Sequence, residues 1–323
     1  MEVFFLNSQE VTVVMSTYNG ERYLKEQLES ILCQKIDELI IIDDASRDKT
    51  VEIIKEYIKK YNFEDKTRLI QNKSNKGWKY NFIYGAKIAK GKLVFFSDQD
   101  DIWYRNKIDI YKKIFANNSN INVVASKEII WDGDKKKINE NSLLVPSQEF
   151  DRIILTNVRN YLIQCSGCTM AVRKKYFDSV VKFYTDDWAH DDFLWKMATL
   201  DNSFALLTSS TILHRIHGNN ESRRKRNFKK TIQGFEIENR IINSMLDRLD
   251  TSEDIVDNDL KKKIIIHEKK GNNLRKNFFE TGSVLSILKI FLFYQNIYRR
   301  RRQFIGDIVI KLKEKKRWNC FEK

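Results

Sequence analysis

A chain of 323 residues is long enough for a sizeable core in one domain of about 220 residues plus an appendage, and its formal net charge is +14 with one proline and 11 glycines. No internal repeat is present, and no low-complexity segment beyond short basic runs. So basic a chain would suit nucleic acid, but the recognition folds and interleaved stacking aromatics of such a binder are missing, which argues against that partner. In chain order, the β-branched run Val11-Thr12-Val13-Val14-Met15 predicts a strand ending in Ser16-Thr17-Tyr18-Asn19-Gly20. Residues Glu21 to Leu32 then show helical spacing, with Tyr23, Leu24, Leu28, Ile31 and Leu32 on one face. A second strand, Leu39 to Ile42, runs into Asp43-Asp44-Ala45-Ser46-Arg47-Asp48. Ser46 or Asp48 offers a cap to a helix that starts near Thr50 and turns Val51, Ile54, Tyr57 and Ile58 inward. Leu93-Val94-Phe95-Phe96 reads as a short buried strand that delivers Ser97-Asp98-Gln99-Asp100-Asp101-Ile102-Trp103.

Strand, polar tip and helix in alternation predict a parallel sheet with covering helices. In such sheets ligands bind beyond the carboxyl ends of the strands, so Ser16 to Asn19, Asp43-Asp44 and Asp98 to Asp101 would share one rim. An acidic cluster there costs stability unless a cation occupies the site. Hard oxygen ligands suit Mg²⁺ or Mn²⁺, which keep positions free for phosphate oxygens. There is no G-x-G-x-x-G after the first strand and no Walker lysine loop, which argues against a dinucleotide dehydrogenase or a P-loop enzyme.

Further along, Cys165-Ser166-Gly167-Cys168 is a C-x-x-C, but the other cysteines, Cys33 and Cys320, form no second pair, so a four-thiolate zinc site is not on offer. Four cysteines without a signal peptide point to a reducing cytoplasm. The first 220 residues carry 32 basic and 30 acidic side chains, the remainder 26 and 14, which marks a boundary near residue 221. Basic runs recur at Arg223–Arg226, Lys261–Lys263, Arg299–Arg302 and Lys311–Arg317. The apolar run Val284 to Tyr294 between them is too short to span a bilayer. It suits a helix lying in an anionic membrane interface, or one packed on the catalytic domain; the basic tail would equally serve a homo-oligomer.

Val13 to Gly20, Ile42-Asp43-Asp44-Ala45-Ser46 and Asp98-Gln99-Asp100-Asp101-Ile102-Trp103 together resemble family 2 glycosyltransferases with a nucleotide-diphospho-sugar-binding domain. Asn75-Lys76-Gly77-Trp78-Lys79-Tyr80-Asn81-Phe82 and His214-Arg215-Ile216-His217-Gly218-Asn219-Asn220 resemble the rhamnosyltransferase-like branch. The resemblance covers roughly residues 9 to 220. It implies the α/β GT-A fold with a mainly parallel central sheet in a catalytic domain 1–220, followed by a basic helical region 221–323. It implies that Ser16, Thr17 and Asn19 line the nucleotide pocket and that Asp44 accepts a hydrogen bond from the pyrimidine. Asn75, Gly77, Asn81 and Trp103 would also bind substrate. Asp98 would reach the ribose or the metal, Asp100 would ligate the metal, and His217 would contact metal or diphosphate. The second acid, Asp101, leaves open which carboxylates touch the ion.

The same resemblance puts His190-Asp191 in the place of the family's acidic pair and makes Asp191 the general base, with Asp192 as fallback. Asp191 could instead cap a helix whose apolar face includes Leu194, Trp195 and Ala198. The implied reaction is inverting sugar transfer from dTDP-L-rhamnose, or from a UDP-hexose, to a hydroxyl of a cell-surface polysaccharide that is lipid-linked at the inner membrane face. The rivals are a nucleotidyltransferase, which would want a glycine-rich loop after its first strand, and a non-catalytic polysaccharide- or membrane-binding protein on the same fold.

Overall fold

The computed structural model describes residues 10–132, 148–217, 227–252, 255–298 and 302–321, with side chains to residue 314. Gly218 to Asn220, the runs at 223–226 and 299–301, and the boundary near 221 lie outside the described residues. Two compact units emerge: Met1–Ile154 with Gln164–Lys182 and Asp186–Gly218, and Leu155–Ile163 with Phe183–Thr185 and Asn219–Lys323.

In the first unit, β1 (Val11–Thr17), β2 (Glu38–Asp43), β3 (Thr67–Gln71) and β4 (Leu93–Ser97) lie in the order β3-β2-β1-β4, every pair parallel. Strands covered on both faces carry apolar runs, as β1, β2 and β4 do, whereas the edge strand β3 is only half-buried and mostly polar. Val11, Val13 and Met15 share a core with Leu24, Leu28 and Ile31 of the helix Leu24–Leu32 and Ile54 and Ile58 of the helix Thr50–Lys60. Val14 and Ile42 face the other way, where Gly85 of the helix Trp78–Ile88 lies so close that a Cβ would sit 2.3 Å from Val14 Cγ1. The parallel half of the sheet is therefore the middle layer of three.

Beyond β4 the sheet becomes mixed. β8 (Ala171–Arg173) is antiparallel to both β4 and β6 (Val123–Trp131), and β9 (Phe204–Arg215) runs parallel to β6. The two-residue β5 (Ile102–Trp103) and β7 (Phe150–Ile153) pair antiparallel with β9. This mixed half brings the end of β9 back to the acidic segment after β4.

The second unit is helical in its described residues, with long helices Phe228–Asp250 and Asn258–Thr281 followed by Val284–Phe293 and Arg302–Phe321. Phe235, Phe278 and Phe279 form its core, and Arg275 pairs with the buried Asp307 at 2.9 Å. Tyr161, which precedes the expected boundary, belongs here and donates to Glu238.

Candidate active site

The tips of β1 and β2 are braced against each other. Asp43 accepts from Thr17 Oγ1 at 3.0 Å, from Ser46 N at 3.0 Å and from Ser46 Oγ at 2.5 Å. Asn19 N donates to Ser46 Oγ, and Arg47 N donates to Asn19 Oδ1. Of the two expected caps, Asp48 takes the role by accepting from Thr50 N at 3.0 Å, while Ser46 serves the rim. Asn19 and Ala45 both hold the left-handed region, φ 48° and 65°. Asparagine tolerates that conformation, whereas alanine pays roughly 1–2 kcal/mol, strain of the kind that collects at binding sites.

Asp44, 2 % exposed, accepts from Asn72 Nδ2 and Lys76 N at Oδ1 and from Gly77 N at Oδ2, each at 2.8 Å. An ionised carboxylate has about four acceptor positions, so about one is left for a nucleotide base. Asn72 also donates to Asn81 Oδ1, and Asn81 Nδ2 donates to Ser16 Oγ at 3.1 Å. Asn75 is exposed on the same loop. Thr17 and Asn81 are buried, Thr17 donating to Asp43 and Asn81 to Ser16. Trp103 is a core residue, because β5 turns its ring inward beneath the Lys107 ammonium, 3.8 Å from the ring centre.

After β4, Gln99 clasps the first tip: Tyr18 N donates to its Oε1 at 2.9 Å, and its Nε2 donates to Tyr18 O at 3.1 Å. Gly20 lies beneath it, and a Cβ there, 2.2 Å from Gln99 Oε1, would displace the Gln99 amide from this clasp. The acids crowd together. Burial, then repulsion from Asp101 and Asp100, pushes the Asp98 carboxyl well above the carboxylate range, and burial followed by Asp101 raises Asp100. His217 Nε2 meets Asp100 Oδ2 at 2.7 Å and stacks on Tyr23 with ring centres 4.7 Å apart. His214 Nδ1 donates to Asp101 Oδ1 at 2.9 Å, and that hydrogen bond is the main reason its imidazole is raised to about 9.

Sequence reasoning missed two cations around these acids. Arg215 donates from Nε to Asp100 O at 2.9 Å, pairs with Glu26, and packs over Tyr23 and Trp131. Lys107 is fully buried, donates to Cys168 O at 2.7 Å, and is lowered to about 7 by burial. Mutually repelling buried carboxyls next to an imidazole suit a hard divalent cation, and Asp98, Asp100 and His217 are the residues that would hold Mn²⁺ or Mg²⁺ there.

Asp191 lies at the N-terminus of the helix His190–Leu200, where the exposed backbone dipole favours an anion. Its Oδ1 accepts from Asp192 N at 2.8 Å, while the N-cap position is Ala189 with no side-chain cap, and burial and the neighbouring Asp192 raise the carboxyl to about 6. Asp192, the fallback base, is held by its neighbours. It accepts from Trp188 Nε1 at 2.8 Å and is gripped by the buried Lys196 at 2.6 and 2.7 Å. His190 is sandwiched by Phe82 and Phe96, and burial lowers it to about 3, so it is neutral. Gly167 of the C-x-x-C backs it closely: a Cβ there would lie 2.5 Å from His190 Nε2. That loop holds a single 3₁₀ turn, Gly167–Thr169, leading into β8.

The parallel half-sheet with its strand-tip rim, the acid cluster on the following loop and the mixed extension through β9 define the class: an α/β glycosyltransferase fold of the GT-A type. The profile of Glycosyl transferase family 2 matches residues 12–181, and the chain belongs to that family. A dTDP-rhamnosyl transferase of Shigella flexneri, RfbG, is 31 % identical over 225 residues, covering 64 % of this chain and 73 % of its own. Among solved structures, Staphylococcus aureus TarS 1–349 with UDP-GlcNAc superposes with a TM-score of 0.62 at 19 % identity, covering 91 % of this chain and 83 % of that one. The mannosyltransferase PcManGT of Pyrobaculum calidifontis, in complex with GDP-Man and Mn²⁺, gives 0.53 at 14 % identity, covering 95 % and 88 %. Both share the GT-A fold.

Proposed function

We propose that this glycosyltransferase is metal-dependent and inverting, and moves L-rhamnose from dTDP-L-rhamnose to a hydroxyl of a lipid-linked, growing cell-surface polysaccharide. The observation that carries the mechanism is a buried acid cluster with His217 close enough to Asp191 that its charge helps raise Asp98, while Asp191 is itself held at about 6. Asp191 accepts the acceptor hydroxyl proton as that oxygen attacks the anomeric carbon from the face opposite the diphosphate. The helix N-terminus and the Asp192 N–H hold its carboxylate in place once it is ionised. Ser16, Asn19 and the remaining acceptor position of Asp44 orient the nucleotide, so proximity supplies much of the acceleration. A divalent cation held by Asp98, Asp100 and His217 would supply charge neutralisation of the leaving diphosphate. The rhamnosyl donor rests on the relationship to RfbG; a UDP-hexose is the second donor, favoured by the TarS complex with UDP-GlcNAc.

The membrane part of the reading is supported by the helix Val284–Phe293. Val284, Leu285, Leu292 and Phe293 are each more than 60 % exposed, beside the exposed Lys289 and Arg302. No helix among the described residues is long and apolar enough to cross a membrane; the proposed contact is an interfacial helix at the cytoplasmic leaflet, resting on these exposed apolar side chains. The transferase reading is tested by product release from dTDP-L-rhamnose, UDP-glucose, UDP-galactose and UDP-GlcNAc with Mn²⁺. A nucleoside diphosphate from one donor, lost in Asp100→Ala, supports it. A nucleoside monophosphate, or no release from any donor, contradicts it.

A further inference from the structure

Asp98, Asp100 and His217 satisfy the donor side, which leaves Asp101 unassigned. It is fully buried, and its Oδ1 accepts from His214 Nδ1 at 2.9 Å and from Arg215 N at 3.1 Å. Its Oδ2 is buried with no hydrogen-bond partner among the described residues. Cys168 Sγ lies 3.9 Å from His214 Nδ1, and one ligand atom each from Asp101, Cys168 and His214 fall within 4.8 Å of one another. Cys168 is itself 1 % exposed. A thiol, an imidazole nitrogen and an orphaned carboxylate oxygen converging in the interior are a mixed soft and hard donor set, unlike the oxygen-rich set beside it.

We propose that Asp101, Cys168 and His214 form a second metal site, separate from the donor cation, that takes Zn²⁺ in preference to Mg²⁺ or Mn²⁺. Thiolate and imidazole ligands select for zinc, whereas carboxylates and water suit the harder ions. Bond lengths of about 2.3 Å to sulfur and 2.0 Å to nitrogen at a tetrahedral angle put those two ligands about 3.5 Å apart. The observed 3.9 Å therefore needs an adjustment of only a few tenths of an ångström. The step balances: Zn²⁺ binds the Asp101 carboxylate, the Cys168 thiol proton and the His214 Nδ1 proton leave to solvent, and no electron is transferred. A water molecule completes the fourth position.

The site would join three pieces of chain that bear on the chemistry: the loop after β4, the turn Gly167–Thr169 that backs His190 next to Asp191, and the end of β9 that carries His217. Its role is to position the acids and the base, and it touches no substrate. It stands or falls independently of which sugar is transferred.

The test is titration of the metal-stripped, full-length protein with Co²⁺, read by absorption. One equivalent is expected to produce tetrahedral d–d bands with a thiolate-to-cobalt charge-transfer band in the near ultraviolet, abolished by Zn²⁺ and unaffected by excess Mg²⁺. The charge-transfer band should vanish in Cys168→Ser and in His214→Gln, and persist in His217→Ala, which alters only the donor cation's holding set. A Cys33→Ser/Cys165→Ser/Cys320→Ser protein, whose only thiol is Cys168, must keep the band, and this decides the matter even where the ligand variants fail to fold. Absence of the band from that protein, or its survival in Cys168→Ser, overturns the proposal.

Discussion

Replacing Asp191 with asparagine should abolish transfer and at the same time stabilise the protein, but only above a particular pH. Burial and Asp192 hold the carboxyl at about 6 in the fold, against 3.8 in an unstructured chain. Below 3.8 both states carry the proton, and the group makes no difference. Between 3.8 and about 6 the unfolded chain has released a proton that the folded protein retains, so wild-type stability falls as pH rises through this window and levels off above it. At 1.36 kcal/mol per pH unit the full loss is about 3 kcal/mol, an upper figure because Asp191 keeps a solvent-facing edge. Asparagine mimics the neutral acid and escapes that loss. Urea denaturation at pH 4 and pH 8 measures it: Asp191→Asn should match the wild type at pH 4 and exceed it by up to about 3 kcal/mol at pH 8. The same carboxyl should give wild-type kcat an ascending limb with a midpoint near 6. A stability difference of equal size at both pH values would refute the reasoning, as would near-normal turnover by the variant.

Asp192→Asn should do the reverse, leaving activity per folded molecule largely intact while costing on the order of 1–3 kcal/mol, because it removes the carboxylate charge that the buried Lys196 grips at 2.6 Å; a kcat loss as deep as that of Asp191→Asn would overturn the assignment. Gly167→Ala drives a methyl group into His190, whose ring is pinned by Phe82 and Phe96, so thermal unfolding should report about 1–3 kcal/mol of lost stability. An unchanged melting temperature would mean that the packing there is looser than described. Leu292→Glu combined with Phe293→Glu should release the protein from vesicles containing phosphatidylglycerol in a flotation assay, and equal flotation with the wild type would remove the interfacial helix from the account.

The rim was legible because β-branched runs ending in polar residues announce both the strand and the side of the sheet on which its tip falls. Val11 to Thr17, Glu38 to Asp43 and Leu93 to Ser97 all took the expected form. What stayed hidden depends on partners far apart in sequence. Gln99 meets Tyr18 across 81 positions and His214 meets Asp101 across 113, and neither pairing leaves a local pattern. Trp103 follows an acidic motif in the sequence, and only the fold shows that its two-residue strand sends the ring into the core. Asp192 carried a visible clue: Lys196 stands four residues on, the spacing at which helical side chains meet. The second unit's claim on Leu155–Ile163 and Phe183–Thr185 follows from packing against helices that begin after residue 227, which charge counting along the chain does not register.

The most direct test of the central claim is calorimetric titration of dTDP-L-rhamnose, UDP-glucose, UDP-galactose and UDP-GlcNAc into the protein with and without Mn²⁺. The account predicts binding of one donor, dTDP-L-rhamnose first among them, that requires the metal, is lost in Asp100→Ala and survives in Asp191→Asn. Binding of no donor in the presence of metal, or binding indifferent to both the metal and Asp100, would contradict it.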